Sequence, residues 1–366
     1  MIVVATGISG SGRKEFAKKF LIFAELRGKK AKVFDAGQML IEHARNLRIR
    51  ITEQFVLNSH HDTIQALRSA VCEKILAEIP LLQKDGYAVL INLHAVFYWE
   101  YQYLPAVDYH YWRMFNPDFF VNFINNSDVV AKSLQKRTQW EWLFDKNLPN
   151  DFALERIMDW QNNEYINTLI ASQFLEKKMY VIPASGSESI LFRLFFETWR
   201  EIWYLGMPLT FLHGEENKKE RVRIDDFARW LEKYVILIDP RYVEPLSVSQ
   251  LNSSSKNRAV HNNVVGRDLN FLIPQCDGMV GFYPKVVSSY GENCERSEVF
   301  RTNGKTFLIF PNDSFLSPFF TRWASEIFKN EKKFKSRFLG YLDEKHGNYI
   351  TKVEESEKCY NGGENE

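Results

Sequence analysis

The stretch GISGSGRKEF, residues 7–16, directly follows the apolar run of residues 2–5. Its glycines have the spacing of the phosphate-binding pattern G-x-x-x-x-G-K-[ST], in which the lysine contacts the β- and γ-phosphates and the hydroxyl contacts Mg²⁺. Here Arg13 occupies the lysine position and Lys14 the hydroxyl position. A glycine-rich loop between a strand and a helix directs backbone N–H groups at an anion, whereas the alternative is a tight turn without a ligand. The stretch predicts a strand–loop–helix unit with a phosphate site formed by Gly7, Ser9, Gly10, Ser11, Gly12, Arg13 and Lys14.

Outward from this unit, strand-like runs alternate with amphipathic stretches, which is typical of parallel α/β proteins. A chain of 366 residues has room for two such domains. The strands are predicted at residues 2–5, 32–34, 88–92, 129–131, 180–183, 203–209, 234–240, 278–284 and 306–311. The helices are predicted at residues 13–27, 61–83, 188–203, 217–233, 264–275, 294–303 and 318–330.

The domain organisation follows from these two series of strands. We expect a first domain over residues 1–200, a second over 201–345 and a flexible, charged tail over 346–366. The polar tract at 247–263 predicts a long loop above the second sheet, and loops of that length are often functional.

Composition limits the class of protein. A content of 45% hydrophobic and 25% charged residues is typical of a soluble globular protein, and the formal net charge of +1 gives no field that would attract nucleic acid or a membrane. The chain opens on a strand rather than a signal peptide, and no apolar run reaches the ~20 residues that span a bilayer. We expect a cytoplasmic protein. Neither a disulfide framework nor a zinc site is predicted from the widely spaced Cys72, Cys276, Cys294 and Cys359.

Further motifs in the first domain extend the pattern. They are VFDAGQML (33–40), VLINLHA (89–95) and YLPAVDYHYWRMFNPDFFVNF (103–123) followed by SLQKR (133–137). With the loop, they resemble the archaeal-type adenylate kinases and related P-loop nucleotide kinases over about residues 1–200. The resemblance implies a P-loop kinase-like fold, ATP or another nucleotide as cofactor, a Walker B strand at 89–95 and a lid from which Arg137 contacts the substrate.

The departures from that family affect its chemistry. Asn92 replaces the Walker B carboxylate, Lys14 replaces the magnesium hydroxyl, and the arginine-rich lid is reduced to Arg137. Phosphoryl transfer depends on positioning, Mg²⁺ and cationic clamps, so its rate should fall by orders of magnitude. Binding needs less, because the N–H groups remain and Arg13 is suited to phosphate. We therefore expect nucleotide binding with weakly supported Mg²⁺ and with slow or absent transfer.

The second domain contains WYLGMPLT (203–210) and GRDLNFLIPQCDGMVGFYPKVVSSYGENCERSEVFRTNGKTFLIFP (266–311). These segments resemble the nucleoside 2-deoxyribosyltransferases and the related nucleoside-monophosphate N-glycoside hydrolases over about residues 202–315. The resemblance implies a flavodoxin-like, deoxyribosyltransferase-like Rossmannoid domain. Ser289 to Glu295 has the family's [SD]-x-G-x-x-x-E spacing. By resemblance the substrate is contacted by Gly206, Pro208, Asp239, Arg267, Tyr283 and Gly291.

The chemistry of N-glycosidic cleavage gives roles to three residues. Its oxocarbenium-like transition state is stabilised or trapped by a carboxylate, for which Glu295 is the candidate. A second carboxylate, Asp268, would protonate the departing base. Ser289, where the transferases have Asp, removes a charge that would repel a 5′-phosphate.

Other roles remain open for these residues. Asp268 also suits a helix N-cap and Glu295 a solvated helix charge. Glu295 lies nine residues before Gly304, where the family has eight, so Glu298 is a rival nucleophile.

The sequence thus predicts a protein that cleaves or exchanges the N-glycosidic bond of a nucleoside or nucleoside 5′-monophosphate, with a P-loop module that binds a nucleotide. The alternatives are an active nucleotide kinase and a non-catalytic nucleotide sensor. No nucleic acid or membrane partner is expected. A homo-oligomer is compatible with the resemblance, because this transferase family commonly builds its site across subunits.

Overall fold

The computed structural model describes residues 1–148, 152–209, 215–243, 263–311 and 316–361. The chain divides into two compact units, unit 1 over Met1–Phe195 and unit 2 over Phe196–Glu366. This division lies close to the boundary expected near residue 200. Among the described residues, no helix is both long enough and apolar enough to cross a membrane.

Unit 1 is built on a parallel sheet of five strands in the order β2-β3-β1-β6-β7. The three central strands β1, β3 and β6 are buried along their whole length, as expected where both faces of a parallel sheet are covered. A small antiparallel hairpin, β4–β5, follows β3. The strands are β1 (Ile2–Thr6), β2 (Ala31–Asp35), β3 (Ala88–Asn92), β4 (Val96–Trp99), β5 (Gln102–Pro105), β6 (Phe119–Ile124) and β7 (Lys178–Pro183). The helices are α1 (Arg13–Glu25), α2 (Ala36–Asn46), α3 (His61–Lys84), α4 (Tyr109–Phe115), α5 (Ser127–Leu134), α6 (Phe152–Phe174) and α7 (Ser189–Phe196).

Two predictions in unit 1 were wrong. The strand expected at 129–131 lies inside helix α5, because Asn126 caps that helix by accepting a hydrogen bond from the Asp128 amide at 2.8 Å. An apolar run of three residues is too short to distinguish a strand from a helix. The helix expected over 188–203 ends with α7 at Phe196, and the chain then enters the first strand of unit 2.

Unit 2 contains a second parallel sheet, in the order β12-β11-β10-β8-β9. Counted within the unit, the strand order is 2-1-3-4-5. The strands are parallel, but successive strands are added on opposite sides of β8, so the topological switch point lies between β8 and β10. Ligands of such sheets bind outside the carboxyl ends of the strands at the switch point. The strands are β8 (Ile202–Gly206), β9 (Ile236–Ile238), β10 (Gly278–Phe282), β11 (Lys305–Ile309) and β12 (Glu326–Phe328). The helices include α8 (Lys218–Glu232), α9 (Tyr290–Arg301), α10 (Pro318–Thr321), α11 (Glu331–His346) and α12 (Tyr349–Asn361).

Three segments of unit 2 differ from prediction. The helix expected over 318–330 is reduced to α10 and is followed by β12, which pairs with β11. The flexible tail expected from residue 346 is instead helix α12 up to Asn361, whose Tyr349 and Val353 are buried in the core. Tyr349 and Val353 lie one helical turn apart on the same face of α12. The charged and polar residues around them in the sequence made this apolar face hard to recognise. The loop predicted at 247–263 lies outside the described residues except for its last position.

Candidate functional site

The glycine-rich loop of unit 1 joins β1 to α1 in a conformation suited to an anion. Gly10 and Gly12 have φ of +79° and +88°. Gly12 is the N-cap residue of α1 and supplies no side-chain cap. The amides of the first helical turn are therefore left for water or a ligand, and the helix dipole favours a negative charge there.

The loop borders a cavity of about 480 Å³, within the size range of small-molecule sites. All predicted P-loop residues except Gly7 line it, as does Arg137, so the structure brings the loop and the lid cation to one cavity. Arg137 faces Glu53 at 3.6 Å. The remaining walls combine aromatic, cationic and acidic side chains that include Arg45, Arg68, Phe97, Trp99, Trp140, Glu42 and Glu53.

Arg13 is only 6% exposed, and its guanidinium lies at the end of β3. It donates to the carbonyl of Leu93 and, at 3.1 Å, to Nε2 of His94. Because arginine is only a donor, Nε2 is the acceptor and the ring proton is on Nδ1, 3.8 Å from Oε1 of Glu164. Burial and then Arg13 hold the pKa of His94 well below its ordinary value, so the ring is neutral.

Glu164, on helix α6, joins the start of the loop to the end of β3. Its carboxylate accepts hydrogen bonds from the amides of Gly7 and Ala95 at 2.9 Å and of Val96 at 2.7 Å. Burial raises its pKa, while these amides and Arg13 oppose the rise. Sequence reasoning missed this residue, because no local pattern connects it with a loop 157 positions away.

The two positions that depart from the kinase pattern have new surroundings. Lys14 pairs with Asp35 at 3.2 Å, and Asp35 also caps helix α2. Asn92 is buried, and its Oδ1 has no hydrogen-bond partner among the described residues. The same holds within that part of the chain for two buried donor atoms of the loop, Ser11 Oγ and Arg13 Nε.

In unit 2, two glycines face each other at the carboxyl ends of neighbouring strands. Gly206 on β8 is in register with Gly281 on β10. Helix α9 places Glu292 and Glu295, one turn apart, over this pair. A Cβ on Gly206 would lie 3.2 Å from both Glu292 Cγ and Glu295 Oε2, and a Cβ on Gly281 would overlap Glu292 Oε1. Two carboxylates therefore lie above the carboxyl ends of β8 and β10, at the topological switch point of the sheet.

Glu295 is the more accessible of the two carboxylates. It is half-buried, and its Oε1 accepts a hydrogen bond from the hydroxyl of Tyr204 at 3.2 Å. Tyr204 belongs to β8, so the side chain is oriented by the sheet rather than by its own helix. Glu298, the rival position, instead faces Arg301 at 3.7 Å.

Glu292 is fully buried and was missed by the sequence reasoning. Tyr283 donates to its Oε2 at 2.7 Å, Arg296 lies 3.3 Å from the same oxygen, and Oε1 has no hydrogen-bond partner in the described part of the chain. Burial raises the pKa of Glu292, and Arg296 and Tyr283 oppose the rise. Burial and the nearby Glu292 also raise the pKa of Tyr283. The paired glycines were the signal that could have identified Glu292.

The other predicted residues of unit 2 have varied positions. Asp268 and Arg267 are buried in a helical run that continues as the π-helix Asp268–Leu272, so Asp268 is not an N-cap, and α9 packs on this run. Ser289 caps α9 by accepting from the Glu292 amide at 3.3 Å. Asp239 pairs with Arg241 rather than facing the carboxylates. Pro208 is buried after β8, and Gly291 is exposed in the first turn of α9.

In the described residues, no group of three or more His, Cys, Asp or Glu side chains is arranged to hold a metal ion. No protein-family model matches the chain, and no curated protein matches it significantly.

Proposed function

We propose that unit 2 cleaves or exchanges the N-glycosidic bond of a nucleoside or nucleoside 5′-monophosphate, with Glu295 as nucleophile. The observation that supports it is the Glu295 carboxylate, held by Tyr204 over Gly206 at the carboxyl ends of the strands. The 2-1-3-4-5 strand order, that of flavodoxin, is compatible with a deoxyribosyltransferase-like domain.

In the proposed reaction, a Glu295 oxygen attacks C1′ of the sugar as the C1′–N bond breaks, and its electron pair leaves with the base. Asp268 supplies the proton that the base takes up. Water or a second base then attacks C1′, releasing the Glu295 carboxylate and returning a proton to Asp268. Tyr204 holds one carboxylate oxygen throughout.

The test is release of free base from a panel of nucleosides and 5′-monophosphates. Glu295→Gln should abolish release, whereas the matched control Glu298→Gln, on the same helix, should retain most of it. If instead Glu298→Gln abolished release and Glu295→Gln retained it, the nucleophile would be Glu298, about one helical turn along α9. Asp268→Asn should lose activity, and because Asp268 is buried, thermal unfolding of the variant is measured beside it. No released base from any common nucleotide would reject the glycosidase function.

We infer that unit 1 is an adenylate kinase-like P-loop domain that binds a nucleotide and transfers phosphate slowly or not at all. Its support is the 480 Å³ cavity bordered by the loop, together with Lys14 and Asn92 at the positions of the magnesium contacts. Arg13→Ala should weaken nucleotide binding by about 1.5–3 kcal/mol, the contribution of a charge-assisted hydrogen bond. Lys18→Ala, an exposed cation on α1, is the matched control. Rapid, Mg²⁺-dependent ADP formation would favour the kinase alternative.

A further inference from the structure

P-loop kinases bind their nucleotide together with Mg²⁺, so the ligands that unit 1 offers at this loop decide whether the metal can bind there. Mg²⁺ takes oxygen ligands in octahedral geometry, commonly one or two carboxylates plus phosphate oxygens. In the P-loop pattern a Ser or Thr hydroxyl adds a further ligand. The argument below rests on the nucleotide binding proposed for unit 1.

The hydroxyl position cannot supply its ligand. Lys14 brings an ammonium instead of an oxygen, and its Nζ lies 3.2 Å from Asp35 Oδ2. Asp35 is the carboxylate at the end of strand β2, which pairs with β3, and its other oxygen caps α2 at 3.0 Å. One cation and one carboxylate of the cavity are thus paired with each other.

The end of β3 is equally unsuited to the metal. Asn92 offers one neutral amide oxygen, and the carbonyl of the next residue, Leu93, accepts from the guanidinium of Arg13. A fixed positive charge therefore lies where the Walker B carboxylate would otherwise attract Mg²⁺. The nearby Glu164 carboxylate already accepts hydrogen bonds from three backbone amides.

Two polar atoms of residues that line the cavity can donate to a ligand. Ser11 Oγ, a hydroxyl that can also accept, and Arg13 Nε are buried and have no hydrogen-bond partner among the described residues. With the amides at the N-terminus of α1, they favour phosphate oxygens that still bear their full negative charge. The two positions that contact Mg²⁺ in the P-loop pattern do not fit the metal, and the donors of the loop fit an anion without it.

We propose that the P-loop site of unit 1 takes nucleotide phosphates free of divalent metal, with Arg13 supplying the positive charge that Mg²⁺ supplies elsewhere. Mg²⁺ therefore weakens the binding of a chelating nucleotide by withdrawing it from solution. A nucleoside monophosphate, which chelates Mg²⁺ poorly, is affected little.

Calorimetric titration of the full chain tests this, with ATP and AMP each in EDTA and in excess Mg²⁺ at matched ionic strength. ATP should bind about tenfold more weakly in excess Mg²⁺, because most of it is then chelated, while AMP binds equally in both buffers. The double variant Lys14→Thr/Asn92→Asp restores the metal contacts and should bind ATP more tightly with Mg²⁺ than without.

Each other outcome has a distinct meaning. ATP binding to the unaltered chain that is equal or tighter with Mg²⁺ would overturn the metal-free inference and leave nucleotide binding intact. Absence of binding by both nucleotides in both buffers would overturn the nucleotide-binding function itself. Thermal unfolding of the double variant, without ligand, establishes that it is folded.

Discussion

At the scale of the residue, Glu164 joins two segments that the sequence separates widely. Each amide on its carboxylate belongs either to the phosphate loop or to the turn after β3. In Glu164→Gln, the NH₂ group would face a buried amide that has lost its acceptor. We expect the free energy of unfolding to fall by about 1–3 kcal/mol, as measured by urea denaturation. Glu78→Gln, exposed on α3, is the control, and equal stability of the two variants would contradict this role.

Glu292 allows a prediction about pH. Burial raises its pKa above the ordinary value of 4.5, so the folded chain retains a proton there that the unfolded chain has lost. The contribution of Glu292 to the free energy of unfolding is therefore greatest at acid pH and declines as the pH rises through the folded-state pKa. Glu292→Gln lacks this titration.

The measurement is urea unfolding of the unaltered chain, Glu292→Gln and Glu298→Gln at pH 5 and pH 8. Relative to Glu292→Gln, the unaltered chain should be more stable at pH 5 than at pH 8. A difference that is independent of pH, or one that Glu298→Gln reproduces, would refute the assignment to Glu292.

The two glutamates show what spacing can and cannot predict. The motif around Ser289 indicated Glu295 because functional spacing is local, and the structure places that carboxylate beside Gly206. Glu292 is also a glutamate and lies three positions before Glu295, but no local spacing marks it. Its burial depends on a glycine in each of two strands, which are brought into register only by the folded sheet. Whether either residue is catalytic stays a prediction.

At the scale of the element, most strands of the two sheets were predicted, but the buried central strand β6 (Phe119–Ile124) was missed and short segments were predicted poorly. Continuous apolar runs such as 88–92 are buried on both faces, so composition alone indicated them. Segments 129–131 and 318–330 failed because a cap at Asn126 and strand pairing at β12 decided their structure. Both are interactions with residues outside the run.

Two glycines, one inside a helix and one at a helix N-cap, should respond oppositely to alanine. Gly340 lies inside α11, where a Cβ would meet no atom within 4 Å, so Gly340→Ala should raise the free energy of unfolding by about 0.5–1 kcal/mol. Gly12 has φ of +88°, so Gly12→Ala should lower it by about 1–2 kcal/mol. Denaturant midpoints of the two variants measure this, and changes of the same sign would disprove the contrast.

At the scale of the whole molecule, both units place glycine at the carboxyl end of their first strand, with Gly7 after β1 and Gly206 ending β8. In each unit the absent side chain lets another group approach the strand end: the backbone of Phe123 near Gly7, and Met279 with the two glutamate side chains near Gly206. Both candidate sites stay predictions that rest on local spacing, the glycines of the loop in unit 1 and Ser289 to Glu295 in unit 2. The partners that complete them, Glu164 and Glu292, come from later helices and depend on the tertiary fold.

The C-terminal helix α12 belongs to the core of unit 2, and this determines how the end of the chain should respond to change. Val353 is 2% exposed, and Tyr349 donates a hydrogen bond to the carbonyl of Tyr234 at 2.9 Å. Ser356 and Glu357 also contact Glu197 and Arg200 at the start of the unit. A flexible tail would show none of these contacts.

Val353→Ala should therefore lower the free energy of unfolding by about 1.5–3 kcal/mol, through lost apolar burial and the cavity that remains. Its neighbour Lys352 is exposed, so Lys352→Ala should change stability by less than about 0.5 kcal/mol. A chain that ends at residue 346 should be less stable than either variant, because it loses Tyr349 as well. Circular dichroism during urea unfolding distinguishes the three proteins, and a truncated chain as stable as the full one would return residues 347–366 to the role of a dispensable tail.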